Sequence, residues 1–213
     1  MRVIGVDESG KGDFFGPLVI AALVADDAEQ ERLKALGVRD SKKLTEKRIL
    51  DIAADLQASF THAVVVIGPE KYNTLYKQIR NLNKLLGWGH AKAIENVLEQ
   101  TTADVAISDK FAELHRIKAS LTEISDGLDV QVLVRGESVL QVGAASIIAR
   151  ATFVKQMRRL SEKYGVNLPK GASAAVDTAG REFVRKYGPD VLEQVAKVHF
   201  KNFARAMSGR LAL

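Results

Sequence analysis

The chain has 213 residues, 46% of them hydrophobic and 27% charged, a balance ample for a real core that argues against disorder and supports one sizeable folded domain over residues 1–213. With 31 Lys and Arg against 26 Asp and Glu the net charge is +5, which turns the partner list towards polyanions, nucleic acid first. There is no cysteine, so disulfides and thiolate metal sites are excluded.

In chain order, residues 2–7 and 16–25 read as strands rich in Val, Ile and Leu, joined by the glycine-rich turn "SGKGD". Asp7 interrupts the first apolar run, and the run from Pro17 to Ala25 is too short to cross a bilayer, so no signal peptide or membrane span is read and a cytoplasmic protein is expected. A helical stretch follows. Thr45 then N-caps a helix to about residue 58, and "THAVVVIG" (61–68) is a third strand. Residues 80–100 carry helical periodicity through Leu85, Trp88, Ala91, Ile94 and Leu98, with Trp88 read as core. Strands follow at 104–109 and 129–135, with the first three strands expected as a meander and the last two reached by helical crossovers. A long helix from Leu140 to about Lys163 buries Ile147, Ala151, Val154 and Met157 and turns Arg150, Lys155, Arg158 and Arg159 outward, towards a nucleic-acid partner. The loop "NLPKGAS" (167–173) and two further helices complete a helical C-terminal part from about residue 164. Strands alternating with helices predict an α/β fold, a mixed five-stranded sheet flanked by helices.

Three strands end at or near an acid: Asp7 with Glu8, Asp109, and Glu137 just beyond the fifth. The carboxyl ends of parallel strands form the rim where α/β sheets bind ligands, so these acids converge if their strands are neighbours. Converging carboxylates raise one another's pKa unless a cation neutralises them, and oxygen-only donors suit Mg²⁺ or Mn²⁺. Two such ions make an in-line phosphodiester hydrolysis site. Successive strand side chains face opposite ways, so Asp7 and Glu8 share a site only if the strand bends at Glu8. Read singly, each is a strand-end acid facing solvent.

The stretch "DESGKGDFFGPLV" (7–19) resembles the signature of type 2 ribonucleases H, and most nearly that of ribonuclease HIII. "DSKKL" (40–44), "LNKLLGWGHAKAIENVL" (82–98), "SDKFA" (108–112), "GESVLQVGAASIIAR" (136–150), "LPKGAS" (168–173) and "KVHFKNF" (197–203) agree in the same order. The resemblance implies a ribonuclease H-like fold and Mg²⁺- or Mn²⁺-dependent endonucleolytic cutting of the RNA strand of RNA/DNA hybrids. It implies catalytic acids at Asp7, Glu8, Asp109 and Glu137, with Asp7, Glu8 and Asp109 as metal ligands. Asp177 is the alternative to Glu137, or else surface charge. Gly10, Lys11 and Gly12 are implied as contacts to the 2′-hydroxyl region, since glycines let backbone approach the shallow minor groove of an A-form-like hybrid.

Lys42, Lys43 and Lys47, and Lys170 with Ser173, are expected to grip phosphates without reading sequence. His199 is a weaker candidate for a phosphate contact and His90 a weaker one still, since no metal-ligand spacing joins them to a third ligand. Two departures from the family pattern bear on function. The catalytic strand begins at residue 2, where ribonuclease HIII usually carries an additional N-terminal substrate-binding domain, and the "PKGAS" loop has no tyrosine of the kind ribonuclease HII uses at RNA–DNA junctions. Cleavage within ribonucleotide runs by a monomer is therefore expected. Cutting at single embedded ribonucleotides, or a catalytically inactive hybrid-binding module, are the alternatives.

Overall fold

The computed structural model describes residues 1–38, 44–109, 114–134 and 136–208, with the backbone only of Glu137. The chain divides into two compact units, one of Met1–Ser9, Val19–Val65 and Asn81–Thr152, the other of Gly10–Leu18, Val66–Arg80 and Phe153 onward.

The first unit carries the body of a five-stranded sheet. Its strands are β1 (Val3–Ser9), β2 (Leu18–Ala25), β3 (His62–Ile67), β4 (Val105–Asp109) and β5 (Asp129–Leu133), in the spatial order β3-β2-β1-β4-β5. β1 and β2 pair antiparallel from Val3↔Ala25 to Ser9↔Val19, whereas β1 with β4 and β4 with β5 are parallel. The sheet is thus mixed, and β3-β2-β1 keep the expected meander order although α1 (Gln30–Ala35) and α2 (Glu46–Ser59) intervene. Thr45 caps α2 as its sequence predicts, its side chain accepting from the Arg48 N–H. Every residue of β2 is buried, as a strand covered on both faces should be, and its sequence accordingly runs apolar throughout instead of alternating.

Two helices position the site. The first turns of α6 (Leu140–Tyr164) lie against β1 so closely that a Cβ on Gly5 would sit 2.0 Å from the Gln141 carbonyl carbon; only glycine fits there. The helix α4 (Leu82–Leu98) is capped by the Asn81 side chain, which accepts from Lys84 N–H, and Gly89 lets it approach Ile20 on β2. Ile20 pairs with Glu8, so α4 lies on the side of the sheet that Glu8 faces, while Gly5 and Asp7 face α6.

Several expectations need correction. The periodic run 80–100 is preceded by α3 (Pro69–Ile79), which the sequence reading left out; the two helices are separated by Arg80 in the left-handed region (φ 49). Trp88 is not core: it is exposed while Leu85, Leu86, His90 and Ala91 are buried. It stands two residues before His90, roughly 160° around the helix from the buried face. The short α5 (Leu114–Lys118) precedes β5. In the second unit, α7 (Ala174–Tyr187) and α9 (Lys201–Met207) match the two C-terminal helices, and the one-turn α8 (Pro189–Leu192) stands between them. Among the described residues no helix is long and apolar enough to cross a membrane.

Candidate active site

The acids gather at the carboxyl ends of the parallel strands. The last paired residues of β1 and β4 are Val6 and Ser108, and Asp7 and Asp109 follow them on adjacent strands. Asp7 lies on the α6 side, where it hydrogen-bonds with Ser146. β1 does not bend at Glu8. Its pairing with β2 continues through Ser9, and alternation sends Glu8 to the opposite side of the sheet, against α4. The bend that would put both side chains on one face is absent; Glu8 instead meets His90 of α4, while its charge still reaches Asp7 across the strand end.

His90 is fully buried. Its Nε2 lies 3.1 Å from Glu8 Oε2, the ring N–H donating and the carboxylate accepting, and its Nδ1 lies 3.1 Å from Ser108 Oγ. Ser108 Oγ in turn donates to the Asp109 carbonyl oxygen at 3.1 Å. One imidazole therefore ties the carboxylate at the end of β1 to the residue before the carboxylate at the end of β4. Spacing alone gives His90 little weight, because no third metal ligand stands at a matching interval. The usable signal was the adjacency of Gly89 and His90 on an otherwise apolar helix face.

Asp109 is fixed from the other side. Its Oδ1 accepts the Gly136 N–H at 2.9 Å, and a Cβ on Gly136 would come within 2.9 Å of Asp109 Cα. That close approach brings the backbone of Glu137, in the 3₁₀ turn Gly136–Ser138, beside Asp109. Asp177 has a different employment: it is buried in the second unit, with Oδ1 taking the Asn202 amide at 2.6 Å and Oδ2 taking Arg205 at 3.2 Å. It is not a plain surface charge.

Burial first, then the Glu8 charge, raises the Asp7 carboxyl from 3.8 to about 7; Asp109 adds to the rise, while hydrogen bonds from Ser146 and the Glu8 N–H oppose it. A carboxylate so placed is short of positive charge. Among the described residues no three Asp, Glu or His side chains close on one point as an all-protein cage. The donor set suits a hard cation held by one or two carboxylates and completed by phosphate oxygens and water, the habit of Mg²⁺ and Mn²⁺.

In the second unit, Gly10 has φ 86 and Gly171 has φ 84, both in the region that favours glycine. Asp13 N–H donates to the Gly10 carbonyl at 3.3 Å, closing the "GKGD" turn, in which Gly12 is exposed and Lys11 half-buried. Lys170 and Ser173 are exposed beside Gly171, and Ser173 begins α7 without spending its hydroxyl on the cap. Lys47, Arg150, Lys155, Arg158 and Arg159 are exposed as expected, whereas Lys42 and Lys43 lie outside the described residues. His199 stacks on Tyr76 with ring centroids 4.3 Å apart, and burial and then the Lys197 charge lower its pKa.

Comparison with known proteins gives the arrangement its relatives. The family profile described as ribonuclease HII matches residues 4–203. The chain is 41% identical to the ribonuclease HIII of Protochlamydia amoebophila over 198 residues, 93% of this chain and 66% of that one. It is 44% identical to the ribonuclease HIII of Chlamydia pneumoniae over 211 residues, 97% of this chain and 70% of that one. Among solved structures, Bst-RNase HIII in complex with Mn²⁺ superposes with a TM-score of 0.92 at 34% identity, covering 100% of this chain and 71% of that one. The ribonuclease H2 from Pyrococcus horikoshii OT3 gives 0.83 at 25% identity, with 98% of each chain covered. The chain spans about two thirds of the length of the curated ribonucleases HIII it matches. With a matched profile over nearly its whole length and ribonuclease HIII relatives above 40% identity, the chain belongs to the ribonuclease HII family of type 2 ribonucleases H.

Proposed function

We propose that the protein is an endoribonuclease that hydrolyses the RNA strand of RNA/DNA hybrids, with Asp7, Glu8, Asp109 and Glu137 as its catalytic acids. The observation that carries this is the meeting of Asp7 and Asp109 at adjacent strand ends with the Gly136–Glu137 backbone bonded to Asp109. Asp7 and Asp109 would be the principal ligands of Mg²⁺ or Mn²⁺, with Glu8 reaching the strand end from the α4 side. When bound, such ions neutralise the carboxylates and the charge that develops on the phosphate oxygens.

The chain's own contribution is orientation. His90 holds Glu8, Gly136 holds Asp109, and Ser146 holds Asp7, so the carboxylates meet the scissile phosphate with little to reorganise. Water attacks phosphorus in line as the P–O3′ bond breaks; the water gives up a proton to a carboxylate, the departing 3′ oxygen takes one from solvent, and the products carry a 3′-hydroxyl and a 5′-phosphate. Glu8 and Glu137 would shape the second metal position or aid activation of the attacking water. The exposed turn at Gly10, Lys11 and Gly12 would read the ribose 2′-hydroxyl, while Lys42, Lys43, Lys170 and Ser173 would hold phosphates. This reading expects a monomer acting in the cytoplasm on ribonucleotide runs.

The test offers end-labelled RNA/DNA hybrid, duplex DNA with one ribonucleotide, and all-DNA duplex, each in Mg²⁺ and in Mn²⁺. Multiple cuts in the hybrid alone support the proposal. A single cut beside the lone ribonucleotide supports the junction reading, and binding without cutting supports an inactive module. Asp109→Asn is expected to bring cleavage to background with hybrid binding retained, and parental rates in that variant would sink the assignment.

A further inference from the structure

Lys197 is fully buried in the second unit, and its ammonium donates to two backbone carbonyls, Asp13 O and Gly16 O, each at 2.7 Å. Its cation lies 5.6 Å from the centre of the Tyr72 ring. Burial pushes this ammonium down to about 7 against the opposing pull of Asp13, a cost that a fold accepts only where the charge has work to do.

The backbone explains what is held. Segment 13–16 runs antiparallel to 195–197: Lys197 N–H donates to Phe14 O at 2.9 Å, Gly16 N–H donates to Val195 O at 2.8 Å, and Phe15 bridges Ala196. Asn73 of α3 fixes the far strand, giving its amide to Glu193 O and Ala196 O and accepting the Val198 N–H. On the other side, Asp13 Oδ1 accepts the Gly171 N–H at 2.6 Å and Phe14 N–H donates to Gly171 O at 2.9 Å. Asn202 donates to Ala172 O at 3.2 Å. The "GKGD" turn and the "PKGAS" loop are thereby bonded to each other through Asp13, with Lys197 beneath the turn.

We propose that Lys197 and Asp13 are positioning residues for hybrid recognition: they lock the Gly10–Gly12 turn and the Lys170–Ser173 loop into one rigid recognition edge that selects RNA/DNA hybrid over DNA duplex. The proposal rests on the reading of the Gly10–Gly12 turn as the ribose contact. Neither residue need touch the substrate. A turn resting on glycines has no side-chain packing of its own, so its conformation must be imposed from below. A displacement on the order of 1 Å at such a contact costs as much as 10²-fold.

The experiment uses the full chain and three kinds of variant. Lys197→Met removes the ammonium and strands two carbonyls. Asp13→Ala removes the acceptor for Gly171, whereas Asp13→Asn keeps an oxygen in the same place. Gly12→Leu probes the turn itself, since a Cβ there meets nothing within 4 Å and the variant is free to fold. Binding to RNA/DNA hybrid and to DNA duplex of the same sequence is measured in the non-cleaving Asp109→Asn background, and KM and kcat are measured without it.

For Asp13→Ala and Lys197→Met the hybrid-to-duplex affinity ratio is expected to fall about tenfold and KM to rise similarly, with kcat per folded molecule changed less than about threefold. Asp13→Asn should restore most of the ratio, which a general loss of stability would not do. If Lys197→Met does not fold, the two Asp13 variants decide. An unchanged ratio in Asp13→Ala overturns the proposal when Gly12→Leu still weakens hybrid binding. If Gly12→Leu leaves hybrid binding intact, the reading of the turn is wrong and the proposal falls with it.

Discussion

His90 Nε2 stands 3.1 Å from Glu8 Oε2, a fully buried imidazole bonded to a carboxylate at the mouth of the core. β1 runs on without a bend and leaves Glu8 on the α4 side of the sheet, where the imidazole bonds its carboxylate. Replacing His90 by Ala is expected to lower kcat by about 10- to 100-fold with little change in KM for hybrid, the size of effect seen when the partner of a ligating group is removed. His90→Gln, which returns a donor to the same region, should recover part of the loss. Steady-state kinetics normalised to folded protein check this, and a kcat equal to the parent's in His90→Ala would mean that Glu8 is oriented by something else.

Asp7 should leave a mark on stability. Its folded carboxyl is raised from 3.8 to about 7, chiefly by burial and by Glu8. The folded state therefore binds the proton more tightly, so this group's contribution is fully present below pH 3.8 and is lost as pH rises through about 7. With divalent ions chelated, Asp7→Asn is expected to melt with the parent near pH 4 and above it at pH 8. The gain is on the order of a few kcal/mol. Added Mg²⁺ should narrow the gap by neutralising the parent. Thermal melts across pH decide; a variant less stable than the parent at pH 8 under chelation would contradict the assigned burial.

Gly136 is a test of how Asp109 is held. A Cβ there would lie 2.9 Å from Asp109 Cα and 3.1 Å from its nitrogen, so backbone must move. Gly136→Ala should reduce kcat about tenfold or more through displacement of Asp109 and Glu137. The accompanying loss of stability should be about 1–3 kcal/mol. Equal kcat in variant and parent would show that the 136–138 turn does not set the geometry of Asp109.

Gly5 makes the opposite prediction. Its missing side chain lets α6 rest on β1, with Gln141 carbon and Val142 nitrogen only 2.0 and 2.1 Å from where a Cβ would be. Gly5→Ala should cost about 3 kcal/mol or more, since neither a central strand nor a helix can retreat cheaply. Urea denaturation measures it, and a cost under about 1 kcal/mol would mean that α6 tolerates a shift.

The strands were legible because β-branched runs ending in acids carry both the sheet and its rim in one pattern; the structure adds that β2, apolar throughout, is covered on both faces. That β1 and β4 are parallel neighbours, which brings the ends carrying Asp7 and Asp109 together, was only a condition in the sequence and is supplied by the structure. What escaped was contact that depends on rotation about a helix. Leu85, Trp88 and Ala91 are three apart, but each such step slips about 60° around the axis, so the stripe misplaced Trp88 and undervalued His90. α3 was lost for a local reason, since Gly68 before Pro69 reads as a turn when it is in fact the helix start. The part of Lys197 was out of reach altogether, because its partners are carbonyls and any residue has one.

The bond from Lys197 to Asp13 joins residues 184 positions apart. During synthesis the turn leaves the ribosome 184 residues ahead of the lysine that bonds it. At about 5–20 residues per second, the nascent polypeptide carries that turn for many seconds without the ammonium beneath it. Under the proposed role of Lys197, a nascent chain gains its discrimination between hybrid and duplex only after residue 197 has emerged.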